Sequence, residues 1–216
     1  MKLICFDLDN TLVLSDKSHS MAYNKALNDF GFEKLKLSYI SSLFGRPKEE
    51  VVYLLTKNDN KNFLNKFLKR HDYYLLKETK KYTNKIRNVD KTLNLLKKQY
   101  KLAVVSNCNH KNVKILLRAA KLNPRLFNVI IGYDDVKHSK PYPDEIIRAQ
   151  HLVHNKADFM VGDTIYDILA GKRARVKTIA VLTGHHSKSK LLRYNPDYLI
   201  KDVNELPKLL KEINNH

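Results

Sequence analysis

Short apolar runs alternate along the chain with longer segments that carry apolar residues on one helical face. The short runs have the length of buried parallel strands and occupy residues 2–6, 101–105, 127–131, 158–161 and 177–181, with a candidate edge strand at 197–200. The helical patterns occupy residues 90–99, 110–121, 143–154, 164–173 and 204–213, each to within a few residues. This alternation predicts an α/β protein built on a doubly wound parallel sheet.

The connection after the first strand is different. From about Leu14 to Val89 the pattern contains no convincing strand, whereas several segments have helical spacing. One segment carries its apolar residues on a single stripe, at Phe63, Leu64, Phe67, Leu68, Tyr74 and Leu75. A structureless connection of roughly 70 residues is implausible. We therefore predict a core domain formed by residues 1–14 and 89–216, and an inserted all-helical cap domain formed by residues 15–88.

Two acidic residues stand at the end of the first predicted strand. Asp7 follows Phe6 directly and Asp9 comes two residues later, so both side chains leave the same side of an extended backbone. Ionised carboxylates are costly to remove from water unless a cation or hydrogen-bond donors accompany them. The pair is therefore either a solvated acidic turn or part of a site that holds a metal ion and attacks a substrate.

Polar residues also follow the other predicted strands. They are, in chain order, Ser106, Asn107, Lys140, Asp163 and Asp167. Because ligands of open α/β sheets bind outside the carboxyl ends of the strands, these groups should meet the first two acids in one crevice. Carboxylates suit Mg²⁺, cationic and backbone donors suit a phosphoryl group, and a carboxylate can act as a covalent nucleophile. The set is typical of phosphoryl transfer.

The motifs DLDNTL, SN, KPYP and GDTIYD, in this order at the strand ends, resemble those of the haloacid dehalogenase (HAD) superfamily. The helical insertion resembles the cap of the phosphoglycolate phosphatase-like branch, and the resemblance covers essentially the whole chain. It implies a Mg²⁺-dependent phosphatase that forms an aspartyl-phosphate intermediate. The dehalogenase branch lacks the second acid of the first motif, so the presence of Asp9 favours phosphate chemistry.

The resemblance implies roles for five residues. Asp7 would be the nucleophile, and Asp9 would protonate the leaving oxygen and then activate water. Ser106 and the Asn107 amide would bind the phosphoryl oxygens, although Ser106 could also cap the following helix. Lys140 would neutralise the phosphoryl charge and hold the nucleophile in place.

The resemblance also implies a Mg²⁺ site. Asp163 would bind the ion together with Asp7 and the backbone carbonyl of Asp9. Asp167 would be a second acid at the metal, acting as a ligand, through water, or by bonding to Lys140. Asp167 could instead belong to the polar face of the helix in which it lies.

Residues outside these motifs are expected to bear on substrate choice. In the cap, Gly45 and Arg46 could form a turn whose guanidinium binds an anionic substrate, or Arg46 could be an exposed residue at a helix start. His19 is expected to be solvated at a helix start, and His110 is open to either interpretation. Cys108 and His110 depart from the family pattern, which bears on substrate rather than on the chemistry.

Composition and charge limit the other classes of function. The chain has 216 residues, and 40 Lys and Arg against 22 Asp and Glu give a net charge of +18. Such a balance can mark nucleic-acid binding, but the lysines are scattered through helices and form no basic tail. No apolar run could span a bilayer, no leader precedes the first strand, and Cys5 and Cys108 lack metal-ligand spacing. These features predict a cytoplasmic protein with reduced thiols and argue against membrane or nucleic-acid partners.

Several functions remain open from the sequence. The leading hypothesis is hydrolysis of a small phosphorylated metabolite, with phosphoglycolate named first and sugar phosphates, nucleoside monophosphates and pyrophosphate as other candidates. The GRPKEEV stretch faintly resembles the cap of β-phosphoglucomutase, which predicts transfer to a sugar hydroxyl instead. The net charge leaves a nucleic-acid-end phosphatase or a non-catalytic binding module, although intact Asp7 and Asp9 argue against an inactive module. The sequence does not separate a monomer from a homodimer.

Overall fold

The structure, a computed structural model, describes residues 1–215. In this range the strands are β1 (Lys2–Phe6), β2 (Val13–Leu14), β3 (Asn84–Lys85), β4 (Tyr100–Ser106), β5 (Val129–Gly132), β6 (Ala157–Gly162), β7 (Lys177–Val181) and β8 (Tyr198–Ile200). The helices are α1 (Asp16–Asp29), α2 (Leu37–Ser42), α3 (Lys48–Thr56), α4 (Lys61–Tyr82), α5 (Val89–Leu96), α6 (His110–Ala119), α7 (Asp144–Val153), α8 (Ile165–Arg173), α9 (Lys188–Leu192) and α10 (Leu206–Asn214).

Six strands form one parallel sheet in the order β5-β4-β1-β6-β7-β8. The chain leaves β1 toward β4 on one side and later returns to place β6 on the other. The connections therefore diverge beside β1, and a crevice opens there at the carboxyl ends of the strands. The predicted doubly wound α/β fold is confirmed.

The alternation of side chains in β1 explains why this strand is central. Ile4 and Phe6 belong to the apolar cluster on one face of the sheet, and Leu3 and Cys5 belong to the cluster on the other face. All four are fully buried. A strand covered on both faces needs apolar residues at every position, which is the run that the sequence shows. The first polar position, Asp7, coincides with the end of the strand and with the crevice.

The helical insertion predicted between the first strand and α5 is present. Helices α1 to α4 enclose an apolar cluster of their own, which includes Tyr23, Leu27, Ile40 and Phe67. The 22-residue α4 begins at an N-cap, Asn60, whose side chain accepts hydrogen bonds from two backbone amides. The division of the chain at residues 14/15 and 88/89 stays a prediction.

One feature of the insertion differs from the sequence-based expectation. Strands β2 and β3 pair in an antiparallel ribbon, with Val13 opposite Lys85 and Leu14 opposite Asn84. Two-residue strands are too short to give an alternation signal, so the pattern could not predict them. Because they flank the four helices, the ribbon brings the two connecting segments side by side.

Smaller differences occur at element ends. The run predicted as a strand at 127–131 is a strand only over Val129–Gly132, because a 3₁₀ turn at Pro124–Leu126 and Phe127 precede it. Helix α9 was not predicted, because its five residues are shorter than a recognisable helical period. Among residues 1–215, no helix has both the length and the hydropathy needed to cross a bilayer.

Candidate active site

A cleft of about 690 Å³, including its open mouth, lies between the helical cap and the carboxyl ends of the sheet. A volume of this order suits a small ligand. The predicted site residues that line it are Asp7, Asp9, Arg46, Ser106, Asn107, Lys140 and Asp163. Asp167 is buried next to Lys140 and is not part of the lining, and His110 lies outside the cleft.

Lys140 joins two of the predicted acids. Its Nζ lies 2.6 Å from Asp7 Oδ1 and 2.6 Å from Asp167 Oδ1, and all three residues are buried. Burial by itself would lower the pKa of Lys140, but Asp167 and Asp7 raise it well above its usual value. Burial raises the pKa of Asp7 to about 7, although the Lys140 ammonium opposes this shift. Lys140 is therefore a fixed cation that touches the predicted nucleophile.

Asp163 completes the acidic group at the end of β6. It is 3% exposed, and Thr11 Oγ1 donates a 3.3 Å hydrogen bond to its Oδ1. Burial and the neighbouring Asp7 and Asp167 carboxyls raise its pKa well above its usual range. A Cβ added at Gly184 would stand 1.7 Å from Asp163 Oδ2, so only glycine leaves room for this carboxylate.

The donor set of Asp7, Asp163 and Asp167 fits a hard divalent cation. One carboxylate oxygen from each residue lies within 4.8 Å of the others. Three buried carboxylates face a single ammonium, so the group carries an excess of negative charge that is costly to bury without a further cation. Oxygen ligands of this kind are those that Mg²⁺ prefers.

The second carboxylate oxygen of Asp167 has a structural role. Oδ2 accepts hydrogen bonds from the Thr164 backbone amide at 3.0 Å and from Thr164 Oγ1 at 2.6 Å. This capping box starts α8. Of the roles considered for Asp167, the bond to Lys140 and the place in the helix are therefore both observed.

Ser106 is the last residue of β4, and Asn107 follows it directly. Ser106 Oγ accepts a 3.1 Å hydrogen bond from the Cys108 amide, and the N-cap of α6 is Asn109, so the expectation that Ser106 could cap that helix is wrong. Asn107 Nδ2 donates to the Gly45 carbonyl at 3.3 Å and to the Lys140 carbonyl at 3.1 Å. Asn107 therefore connects the end of β4 to the loop that contains Gly45 and to the loop that contains Lys140.

Asp9 turns toward the cap. Its Oδ1 lies 3.5 Å from His19 Nε2 and also accepts a hydrogen bond from Ser15 Oγ, while its Oδ2 lies 3.5 Å from Cys108 Sγ. Burial by itself would raise the pKa of Asp9, but the bonds from His19, Ser15 and Cys108 lower it. The expectation of a solvated His19 is wrong: it is 7% exposed, because Phe44, His71 of α4 and Cys108 lie against its ring.

The cap loop at Gly45 and Arg46 lies against the core. Gly45 has φ = +90°, and a Cβ there would stand 2.7 Å from Thr164 Cγ2, so both conformation and space require glycine. Arg46 lines the cleft and is a quarter exposed, with Nε 3.1 Å from Glu50 Oε1 but not aligned for a hydrogen bond. The alternative of a fully exposed Arg46 is therefore wrong.

A carboxylate on α4 fastens the cap to the core. Asp72 accepts hydrogen bonds from Asn109 Nδ2 at 2.6 Å and Asn112 Nδ2 at 2.8 Å, both at the start of α6. From the cap itself, Lys48 Nζ lies 3.3 Å and His71 Nδ1 3.1 Å from the same carboxylate. Burial by itself would raise the pKa of Asp72, but Lys48 and His71 hold it well below its usual range.

Two residues near the site were missed in the sequence. His186 lines the cleft, and its Nδ1 accepts a 3.1 Å hydrogen bond from the Ile165 amide, so the proton of the neutral ring is on Nε2. Glu145 is fully buried, its two carboxylate oxygens have no hydrogen-bond partner among residues 1–215, and burial raises its pKa to about 8. The only sequence signal for Glu145 is an acid on the apolar face of α7.

His110 pairs with another part of the core. Its Nδ1 lies 2.6 Å from Asp135 Oδ2, and its amide donates to Asp134 Oδ1 at 2.7 Å. Cys5 and Cys108 are buried free thiols, as the sequence predicts.

Comparison with known proteins agrees with this geometry. Residues 4–181 match the family model of the haloacid dehalogenase-like hydrolases. The chain is 32% identical to a phosphoglycolate phosphatase of Aquifex aeolicus over 97% of both chains. It is 28% identical to the pyrophosphatase PpaX of Bacillus mycoides over 98% of this chain and 97% of that protein. A crystal structure of a haloacid dehalogenase-like hydrolase from Bacteroides fragilis superposes with a TM-score of 0.88 at 23% identity, covering 95% of this chain and 99% of the other.

The parallel sheet, the motif residues at its carboxyl edge and the helical cap together define a hydrolase of the HAD type. The chain belongs to the haloacid dehalogenase-like hydrolase family and is an enzyme of that family's phosphatase type. The resemblance inferred from the four motifs is therefore confirmed.

Proposed function

We propose that the protein is a Mg²⁺-dependent phosphatase that hydrolyses a small phosphomonoester through an aspartyl-phosphate. The observation that carries this proposal is the position of Asp7 at the cleft, in contact with the buried Lys140 at 2.6 Å. A carboxylate held by a fixed cation at the end of a strand is suited to in-line attack on a phosphoryl group.

The residues divide the reaction into two steps. In the first, an oxygen of Asp7 attacks phosphorus while the P–O bond to the leaving group breaks, and Asp9 gives a proton to the departing oxygen. Lys140, Ser106 and the Asn107 amide offset charge on the phosphoryl oxygens. In the second, Asp9 removes a proton from water, which attacks phosphorus and releases phosphate and the free Asp7 carboxylate.

Mg²⁺ would be held by Asp7, Asp163 and the Asp9 carbonyl. Asp167 would act at the Mg²⁺ site either as a further ligand or indirectly, through its hydrogen bond with Lys140. Bound Mg²⁺ would supply neutralisation of phosphate charge and orientation of the phosphoryl group.

Phosphoglycolate is the substrate that we propose first, with pyrophosphate second. A relative with 32% identity is named phosphoglycolate phosphatase, and relatives at 26–28% identity are named pyrophosphatase PpaX. In both substrates the leaving group is itself an anion. Arg46 on the cap side of the cleft is the cation that would bind it. The enzyme would act in the cytoplasm as a monomer or homodimer.

The test is phosphate release from an aryl phosphate, phosphoglycolate, pyrophosphate, sugar phosphates, nucleoside monophosphates and a 5′-phosphorylated oligonucleotide. Activity is measured with Mg²⁺ and with excess chelator. We expect hydrolysis that chelator abolishes and that is fastest with phosphoglycolate. Full activity in chelator would remove the metal from the mechanism. Conversion of a sugar phosphate to its isomer, without phosphate release, would replace hydrolysis by phosphotransfer.

A further inference from the structure

The carboxylate, imidazole and thiol of Asp9, His19 and Cys108 meet in the cleft beside the acidic group described above. Cys108 Sγ lies 3.5 Å from Asp9 Oδ2 and 3.7 Å from His19 Nε2, and His19 Nε2 lies 3.5 Å from Asp9 Oδ1. His19 and Cys108 are 7% and 5% exposed, and Asp9 is half-buried. One ligand atom from each residue lies within 4.8 Å of the others.

Cys108 Sγ and His19 Nε2 approach different oxygens of Asp9, Oδ2 and Oδ1, and each separation is close to that between two ligands of a tetrahedral zinc ion. Zinc lies about 2.3 Å from cysteine sulfur and about 2.0–2.2 Å from histidine nitrogen or carboxylate oxygen. In a tetrahedron, such bonds place neighbouring ligand atoms roughly 3.3–3.6 Å apart. A turn of the Asp9 carboxylate that brings one oxygen toward both partners, with a closure of the cluster from within 4.8 Å, would therefore satisfy all three bonds.

The chemistry of the two clusters differs. The group formed by Asp7, Asp163 and Asp167 offers only carboxylate oxygens, which suit Mg²⁺. The second cluster offers one sulfur, one nitrogen and one oxygen, a set that favours Zn²⁺ and related transition ions over Mg²⁺. The two clusters therefore favour different metals.

We propose that Asp9, His19 and Cys108 form a second metal site, which takes Zn²⁺ or a similar borderline ion and inhibits the enzyme. Three protein ligands leave one coordination position for water from the cleft. On binding, the Cys108 thiol and the His19 Nε2–H that faces Asp9 each give a proton to solvent, and bonds form from zinc to Sγ, to His19 Nε2 and to the Asp9 carboxylate. No oxidation or reduction takes place.

Two consequences follow from where the ligands lie. Asp9 and Cys108 belong to the core loops, whereas His19 belongs to α1 of the cap, so the ion would fasten the cap to the core. Asp9 is also the proposed acid and base, and its carboxylate could not exchange protons while bound to zinc. This inhibitory consequence rests on the proposed function, but the metal site itself does not.

The site is tested on the purified full chain with Co²⁺ as the probe, in excess Mg²⁺ and without substrate. A cobalt ion bound to a thiolate shows a sulfur-to-metal charge-transfer band in the near ultraviolet. We expect one such band, which Zn²⁺ removes. It should persist in Cys5→Ala, whose thiol is buried in β1 away from the cleft, and disappear in Cys108→Ser. A wild-type chain without the band, or a band that persists in Cys108→Ser, would overturn the site.

His19→Gln supplies a second ligand variant. Loss of a partner that merely supports a metal ligand costs about 10- to 100-fold in affinity, and loss of the ligand itself should cost at least as much. We therefore expect the Co²⁺ concentration at half saturation to be at least about 10-fold higher for His19→Gln than for wild type. Thermal unfolding and circular dichroism of each variant identify those that fold. An unchanged Co²⁺ affinity in folded His19→Gln would exclude His19 as a ligand.

The inhibitory consequence is tested separately, by Zn²⁺ titration of aryl phosphate hydrolysis at saturating Mg²⁺. Each variant is normalised to its own rate without zinc. We expect the Zn²⁺ concentration for half inhibition to rise at least about 10-fold in Cys108→Ser and to stay unchanged in Cys5→Ala. Equal inhibition of wild type and Cys108→Ser would mean that zinc acts by displacing Mg²⁺ from the carboxylates. A chain with the cobalt band but no hydrolysis would refute the proposed function and retain the metal site.

Discussion

Lys140 Nζ lies 2.6 Å from Asp7 Oδ1, although the two residues are 133 positions apart in the chain. Asp7 follows the last residue of β1, and Lys140 lies in the loop between β5 and α7. The contact is buried and the ammonium is shared with Asp167. Asp7 is therefore held by charge and hydrogen bonding at the rim of the core, and removal of its charge should leave no cavity.

Asp7→Asn should abolish turnover and leave the fold intact. Asparagine fills the same volume but cannot form the acyl phosphate, and loss of a catalytic nucleophile costs at least about 1,000-fold. The measurements are kcat/KM, thermal unfolding, and trapping of the phosphorylated chain. Asp158→Asn is the matched control, because Asp158 lies in β6 with only a surface ion pair to Lys2 at 3.8 Å. Near-wild-type turnover of Asp7→Asn would require another nucleophile.

The sequence predicted which residues meet at the cleft, because those residues stand at or next to strand ends. A buried strand needs a continuous apolar run, so the first polar residue after each run, such as Asp7, Ser106 or Asp163, marks the crevice. Fold class and the acidic cluster follow from that pattern alone. The ribbon of β2 and β3 does not, because its two-residue strands carry no periodicity.

The environment of the cap residues could not be predicted in the same way. His19 follows a helix start, where exposure is the usual outcome, yet it is buried by Phe44, by His71 of α4 and by the core loop that carries Cys108. Its neighbours come from segments that are distant in the sequence, so the local sequence pattern could not predict them. The same holds for Gly184, whose importance depends on the carboxylate of Asp163.

Gly184→Ala should weaken Mg²⁺ binding. The added Cβ would stand 1.7 Å from Asp163 Oδ2, so the carboxylate must move. We expect the Mg²⁺ concentration for half-maximal activity to rise by about 10-fold or more. The measurement is a Mg²⁺ titration of aryl phosphate hydrolysis.

Gly31→Ala is the matched control for that variant. No heavy atom lies within 4 Å of a Cβ at Gly31, but its φ of +79° strains an alanine, at a cost of about 1 kcal/mol. It should lower the thermal midpoint and leave the Mg²⁺ requirement unchanged. A normal Mg²⁺ requirement in Gly184→Ala would show that Asp163 is not needed at the metal.

Arg46→Ala should change substrate choice rather than the chemistry. Arg46 lines the cleft from the cap, and its Nε has no hydrogen-bond partner among the described residues. We expect KM for phosphoglycolate and pyrophosphate to rise about 10-fold, equivalent to 1.4 kcal/mol, with a smaller change for an aryl phosphate. Glu50→Ala, which removes the acid 3.1 Å from Arg46, should not raise KM for the anionic substrates. Equal effects of Arg46→Ala on all substrates would mean that Arg46 does not bind the leaving group.

His71 should make the stability of the protein depend on pH. It is fully buried, and burial lowers its pKa to about 4, from about 6.5 in an unfolded chain. Asp72 opposes the shift, while Lys48 and His19 add to it. Between pH 4 and 6.5 the unfolded chain binds a proton that the folded chain does not, so this contribution to stability falls as pH falls through that window.

The measurement is the free energy of unfolding of wild type and His71→Gln at several pH values. Between pH 4 and 6.5, the free energy of unfolding should rise less steeply with pH in the variant than in wild type, by up to about 1.4 kcal/mol per pH unit. The difference between the two proteins isolates His71 from the other titrating groups. Parallel pH profiles would show that His71 takes up its proton without unfolding.

Asp9→Asn should separate substrates by their leaving groups. The Asp9 carboxylate accepts hydrogen bonds that lower its pKa and so keep it ionised, the form in which it can accept a proton from water. In the first step Asp9 must instead supply a proton. Departure of an aryl leaving group depends little on protonation, whereas departure of an alkyl leaving group depends strongly on it. The variant should therefore form the aspartyl-phosphate from an aryl ester but only slowly from phosphoglycolate.

Single-turnover measurements distinguish the two steps. General acid–base help is worth about 10²–10⁴-fold, so formation of the phosphoenzyme from the alkyl ester should slow by that order relative to the aryl ester. Breakdown should be slow after either substrate, because water is no longer activated, and phosphoenzyme should accumulate from the aryl ester. Ser15→Ala, which removes only one hydrogen bond to Asp9, is the control and should retain the wild-type ratio between the esters. If Asp9→Asn slowed the first step equally for both esters, Asp9 would act through charge or structure, because loss of a proton donor should slow the ester with the more basic leaving oxygen by a larger factor.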